Sequence, residues 1–283
     1  MSIISTTRGD FFVRTYGDPS HPPLMLVHGW PQSSYSWHHV APFLKGLYLI
    51  APDLRGMGDS NREMDLKAYE KDQMAADMFA VADALGMEGF YLGGHDWGGA
   101  IVQEMAFMHP ERIRKLIIMN MVIINNPVGQ NKAGEVLVKY LFRSSWYQFF
   151  LSIKDLPEAL IAGKEDVWVR FFSRGISAPV PEDAIAEYTR CYKIPGTLTT
   201  AANVYRTVPD DRKRWAATYL GKVSPVPTKI IHGILDPVII KEYIHGVEDF
   251  FEQVEVVEVK AGHFVVDEQP EIVGKEIKAF LAG

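Results

Sequence analysis

The chain predicts an α/β protein, a mostly parallel sheet flanked by helices, and three observations carry that prediction. Short apolar runs alternate with longer amphipathic stretches up to about residue 120, the pattern of strands separated by crossover helices. From roughly 125 to 215 the spacing turns helical and aromatic-rich, with no strand-like run. Strand character then returns. A helical block set into such an alternation reads as a cap over a core, the core being 1–120 and 217–283 and the cap 121–216.

Taken in order, Phe11–Tyr16 reads as an opening strand. Pro23–Val27, Leu47–Ala51, Phe90–Leu92 and Lys115–Asn120 are nearly continuous apolar runs of the kind that fill the middle of a parallel sheet. Tyr69–Leu85 carries apolar residues at helical spacing and stops at Gly86. Gly98–Met108 reads as another helix, halted by Pro110. Thr228–His232 and Val254–Val259 are the late strands, and Asp267–Leu281 reads as a closing helix.

Composition narrows the function classes. With 283 residues, 47% of them hydrophobic, the chain can bury a large core as one domain with an insertion or as two intimate domains. Its net charge of -6 comes from mixed acidic and basic residues without a basic stripe, which argues against nucleic acid. The sole cysteine, Cys191, forms no internal disulfide and suits a reducing cytoplasm. Met1–Asp10 has no apolar core of a signal peptide, and the longest apolar run, Leu116–Ile124, is broken by Asn120 and too short for a bilayer. The nine histidines show no metal-ligand spacing, so neither metal nor cofactor is expected. The expectation is a cytoplasmic protein with a small-molecule partner, with a homodimer left open.

The chemistry gathers at strand ends. Gly94-His95-Asp96-Trp97-Gly98-Gly99 lies between a strand and a helix. A strand that bends sharply into a helix lifts the residue at the tip above the sheet, beside the positive helix end, and needs small neighbours two positions either side. That is a nucleophile elbow with Asp96 at its tip. Alone, the hexapeptide also reads as a Gly-rich helix start with Asp96 as N-cap. His28-Gly29-Trp30-Pro31 leaves the strand before Leu47–Ala51 and can aim the Trp30 amide, with that of Trp97, as an oxyanion hole; alone it is an ordinary turn. Asp53-Leu54-Arg55-Gly56-Met57-Gly58-Asp59-Ser60 reads as a structural turn, with Ser60 no nucleophile. His232-Gly233-Ile234-Leu235-Asp236-Pro237 and Ala261-Gly262-His263-Phe264 follow the two late strands. Singly, Asp236 and His263 read as a turn residue and a surface histidine. Parallel strands deliver their C-terminal ends to one edge, so Asp96, Asp236 and His263 are expected to meet there as nucleophile, acid and base.

These residues together resemble the α/β-hydrolase superfamily, in its epoxide hydrolase and haloalkane dehalogenase branch, most closely the soluble bacterial-type epoxide hydrolases. The likeness spans essentially the whole chain. It implies an eight-stranded sheet with the helical cap inserted after the sixth strand. A carboxylate nucleophile suits displacement at saturated carbon, leaving an ester whose carbonyl belongs to the enzyme. Water activated by His263, itself oriented by Asp236, then attacks that carbonyl. Epoxides, alkyl halides and α-halo acids remain as substrates.

An epoxide leaves as an alkoxide and needs a proton donor, whereas a halide needs only N–H donors. Trp146-Tyr147-Gln148-Phe149-Phe150 and Asn203-Val204-Tyr205-Arg206 resemble the cap segments that carry the two acid tyrosines of epoxide hydrolases, although both also read as cap core. The resemblance implies Tyr147 and Tyr205 as proton donors. Trp30, Trp97, Gln148, Phe149 and Phe150 are the expected substrate-binding residues, with Trp146 and Val122 as further wall residues. Trp97 is also where haloalkane dehalogenases place a halide-binding indole, while Trp30 stands where their Asn donor belongs. Fluoroacetate dehalogenases resemble the segment Leu156-Pro157-Glu158-Ala159-Leu160-Ile161, but Trp97 replaces the Arg they need. Epoxide hydrolysis is the leading expectation, a dehalogenase the alternative, and a non-catalytic ligand receptor of the same fold a third reading.

Overall fold

A computed structural model describes residues 1–283, the side chains of 139–143 excepted. Eight strands follow in chain order: β1 (Ser2–Thr6), β2 (Gly9–Tyr16), β3 (Pro23–Val27), β4 (Tyr48–Pro52), β5 (Phe90–His95), β6 (Ile113–Met119), β7 (Thr228–Gly233) and β8 (Val254–Val259). Side by side they run β1-β2-β4-β3-β5-β6-β7-β8. The pairs β1–β2 and β2–β4 are antiparallel and the rest parallel.

Every predicted strand forms. The apolar run predicts β5 only as far as Leu92, because Gly93 and Gly94 carry no apolar side chain, yet a Cβ on Gly93 would strike Leu26 on the neighbouring strand. The sheet there needs glycine. Strand β1 has no counterpart in the sequence pattern: it is a mostly exposed edge hairpin arm, so only Ile4 is drawn toward the core.

The central strands are buried on both faces, and period-two alternation divides them between two cores. Met25, Val27, Leu116, Ile118 and Ile230 face one cluster. Leu24, Leu26, Ile117, Met119 and Ile231 face the other. Each such aliphatic side chain contributes about 1.5–3 kcal/mol on burial. This is why the runs read as continuous rather than alternating.

The first core is covered by α1 (Lys71–Ala84) and α2 (Trp97–Met108). Seven helices then lie between β6 and β7: α3 (Pro127–Ser144), α4 (Trp146–Ser152), α5 (Leu156–Ile161), α6 (Glu165–Phe172), α7 (Glu182–Tyr192), α8 (Thr197–Arg206) and α9 (Val208–Thr218). Among the described residues no strand interrupts them. The predicted closing helix is two helices, α10 (Val265–Glu268) and α11 (Pro270–Ala282). Pro270 forces Gln269 out of helical geometry, at φ -137°.

The insertion is tied to the core through Lys71, whose side chain is wholly buried. Its ammonium donates to Val204 O at 2.6 Å, Asp211 Oδ2 at 2.8 Å and Thr207 Oγ1 at 2.9 Å. Burial lowers the pKa of this amine against the opposing pull of Asp211. Among the described residues no helix is long and apolar enough to cross a membrane.

Candidate active site

At the end of β5 the chain turns into α2 through Asp96, which adopts φ 51° and ψ -128°. An L residue with a Cβ enters that region only when its surroundings force it. A Cβ on Gly94 would collide with the Gly98 carbonyl, one on Gly98 with Val27 O, and one on Gly29 with the Asp96 side chain. The glycines are therefore steric requirements of the bend. Asp96 stands at the N-cap position of α2, but its side chain makes no cap bond there and is left for other partners.

The carboxylate has specific partners instead. Oδ1 accepts from the Trp30 amide at 2.8 Å, and the Trp97 amide nearby helps to lower the carboxyl pKa. Oδ2 lies 3.1 Å from His263 Nε2. His263 Nδ1 lies 2.7 Å from Asp236 Oδ2, and Asp236 Oδ1 accepts from the Val238 and Ile239 amides at 2.8 and 3.0 Å. The three side chains come from the ends of β5, β7 and β8 and converge as expected.

Their charges are coupled. Burial pulls the Asp96 carboxyl upward, but the His263 hydrogen bond and charge outweigh it and leave its pKa below the usual value. Burial disfavours a charged His263, yet Asp236 and then Asp96 hold its proton and raise its pKa to about 10.

The turn that presents Trp30 is pinned by His28, which donates from Nδ1 to Gly29 O at 2.9 Å and accepts from the Leu54 amide at 3.0 Å. Burial lowers its pKa, in keeping with a neutral ring. Ser60 is structural: its hydroxyl donates to Asp53 O at 2.7 Å and accepts from Phe12 N at 3.0 Å.

Tyr147 on α4 and Tyr205 on α8 are both buried, with ring centroids 5.7 Å apart. Tyr147 stacks on Trp30 at 5.4 Å and 9°, and Tyr205 meets Trp30 and Trp97 edge-on at 5.3 and 5.4 Å. Burial, with the Asp96 charge among the further causes, raises both phenol pKa values. Arg206 holds α8 against α5 through Glu158, at 2.9 Å.

The expected wall needs correction. Phe149 is 57% exposed, because two positions after Tyr147 a helix presents its opposite side. It lines no cleft. Trp146 is also 39% exposed, and Phe150 packs beside it and Trp168 within the insertion. Gln148 is half-buried, its amide next to the Tyr147 hydroxyl. Val122 is half-buried and its carbonyl accepts from Gln103.

Sequence reasoning missed the support behind the triad. Asn120, at φ 41°, donates to Gly262 O and His263 O at 2.8 and 2.9 Å and accepts from Gly233 N at 2.7 Å. His95, Gln32 and Asp267 also converge there. The one available signal was position: Asn120 follows a strand directly, and His95 precedes Asp96. Among the described residues His38, His39 and Asp183 also bring donor atoms within 4.8 Å of one another, a grouping no local spacing displays.

The α/β hydrolase fold family matches residues 22–270. The chain is 31% identical to a soluble epoxide hydrolase of Corynebacterium sp. (strain C12), over 92% of this chain and 90% of that one. It is 30% identical to epoxide hydrolase 4 of Mus musculus, over 94% of this chain and 74% of that one. An epoxide hydrolase from an endophytic Streptomyces superposes with a TM-score of 0.85 at 23% identity, covering 100% of this chain and 95% of that one, a likeness of fold. The chain belongs to the α/β hydrolase fold family.

Proposed function

We propose that this α/β hydrolase opens epoxides to vicinal diols, with 121–216 as the cap over a core of 1–120 and 217–283. One observation carries the choice of substrate: two buried phenols stand side by side against Trp97 and against Trp30, whose amide holds the Asp96 carboxylate. A poor leaving group needs such donors.

Asp96 attacks a ring carbon, forming a C–O bond as the ring C–O bond breaks, and Tyr147 or Tyr205 delivers a proton to the departing oxygen. The resulting phenolate, in a site that raises phenol pKa values, recovers its proton from the His263 imidazolium. Esterification has by then removed the Asp96 charge, one of the influences that held that proton. Neutral His263 next takes a proton from water as the water attacks the Asp96 carboxyl carbon. The oxyanion forms where the Trp30 and Trp97 amides point. Collapse releases the diol alkoxide, which takes the proton back from His263, and the proton left on the Asp96 carboxyl passes to His263, restoring carboxylate and imidazolium.

A single turnover in heavy-oxygen water tests this. Label is expected in the Asp96 carboxylate, and label in the diol alone rejects the covalent route. The sole cysteine, Cys191, is buried and fits a reducing compartment such as the cytoplasm.

A second reading has its own observation. The indole N–H groups of Trp30 and Trp97 are buried without hydrogen-bond partners, and such donors suit a departing halide. Halide release from bromoalkanes without epoxide opening would select it.

A further inference from the structure

Behind the candidate triad, a chain of buried polar groups runs from Asp267 through Gln32 and His95 to the backbone carbonyl of His263. Gln32 Nε2 lies 2.6 Å from Asp267 Oδ2, Gln32 Oε1 lies 3.0 Å from His95 Nδ1, and His95 Nε2 lies 2.7 Å from His263 O. All three side chains are buried. Among the described residues no cation pairs with Asp267.

Counting protons along this chain restricts its state. A carbonyl oxygen only accepts, so His95 Nε2 carries a hydrogen. If His95 is neutral, its Nδ1 is bare and must face the nitrogen of the Gln32 amide, which swaps the amide ends. The Gln32 oxygen then faces Asp267 Oδ2 at hydrogen-bond distance, and that carboxyl oxygen must carry a proton. The other orientation requires a cationic His95 and, to balance it, an ionised Asp267, two buried charges separated by an amide. A cationic His95 would also sit 5.2 Å, ring to ring, from His263. On the Asp267 side, Glu268 next in the chain and Asp183 on α7 add negative charge. Gln32 and the Tyr188 hydroxyl, 3.1 Å from both carboxyl oxygens, are the neutral neighbours. On the His95 side, Asp96 and Asp236 oppose His263.

We propose that Asp267 is held as a neutral acid and acts, through Gln32 and His95, as a positioning residue for His263. Burial is consistent with this order, raising Asp267 to about 7 and lowering His95 to about 4, so the shared proton stays on the carboxyl. Ionising Asp267 turns the Gln32 N–H back toward the carboxylate and leaves the amide oxygen against His95. His95 then shifts its hydrogen to Nδ1, and its bare Nε2 repels the His263 carbonyl. The backbone of the base loses one of its two clamps, Asn120 being the other. The positioning role rests on His263 being the base, whereas the protonation state does not.

Nitrogen NMR of the unliganded protein, labelled at histidine, tests the proton count. The His95 signal is expected as the neutral Nε2–H tautomer at pH 6, passing to Nδ1–H as pH rises through about 7. Asp267→Asn, whose amide can donate to Gln32 as the acid does, should keep kcat within about threefold at pH 6 and lose the fall in kcat near pH 7, with KM unchanged. A doubly protonated His95 at pH 6, or a fall in kcat near pH 7 that persists in the folded variant, overturns the proposal. Should the variant misfold, the wild-type spectrum still decides. If Asp96→Ala left turnover intact, the triad reading would fail while the His95 spectrum still answered this question.

Discussion

Asp96, Asp236 and His263 each stand on a short loop leaving a parallel strand, whereas Tyr147 and Tyr205 stand within helices of the insertion. The first group is located by backbone: a bend in which each glycine is sterically required, backbone amides on each aspartate, and strand ends brought to one edge. The second is located by side-chain packing, in which Trp30, Trp97 and Phe172 fix where the phenols lie. Backbone geometry specifies a position from a few neighbouring residues, while a packed aromatic group needs many distant ones to agree.

Substitutions separate the two groups. Asp96→Ala should lower diol formation by about four orders of magnitude in a folded protein, since no other group can form the ester. His263→Gln should still form it, seen as added mass on the Asp96 peptide; an unmodified peptide would break the strand-end half of the comparison. Changing both Tyr147 and Tyr205 to Phe should slow epoxide opening by about a thousandfold, and Tyr205→Phe alone by about tenfold or more. A double variant with normal kcat would show that the insertion contributes walls and no acid.

Smaller effects test what joins the halves. Lys71→Ala leaves Asp211 buried with, among the described residues, only Arg214 as cation partner and should cost about 3 kcal/mol in urea denaturation. pH dependence gives a signed test. With its pKa raised to about 7, Asp267 binds a proton in the folded chain that the unfolded chain has lost above about 4. Its contribution to stability therefore falls as pH rises through that window. Asp267→Asn should grow more stable relative to wild type over the same range, read by thermal melts. Phe149→Ser, on the outer face of α4, should leave kcat unchanged and stability within about 0.5 kcal/mol.

Legibility followed the same division. Gly94, Asp96 and Gly98 could be read because the steric demand of the bend is local, and Asp236 and His263 because each follows its strand directly. Phe149 is misread when its segment is taken as a unit, since alternate residues on a helix face opposite ways. Asn120, Gln32 and Asp267 escape a sequence reading because each is an unremarkable polar residue until two loops and α10 bring their donors and acceptors to the back of His263.

The sequence by itself determined the alternation of strands and helices, the insertion after β6 and the strand-end order of Asp96, Asp236 and His263, since each follows from periodicity or from neighbours a few positions apart. Only the tertiary structure decided which face of α4 looks inward, how Lys71 binds the insertion, and how Asp267 reaches His263 through Gln32 and His95. Those depend on directions and distances between segments far apart in the chain, and no local pattern encodes them.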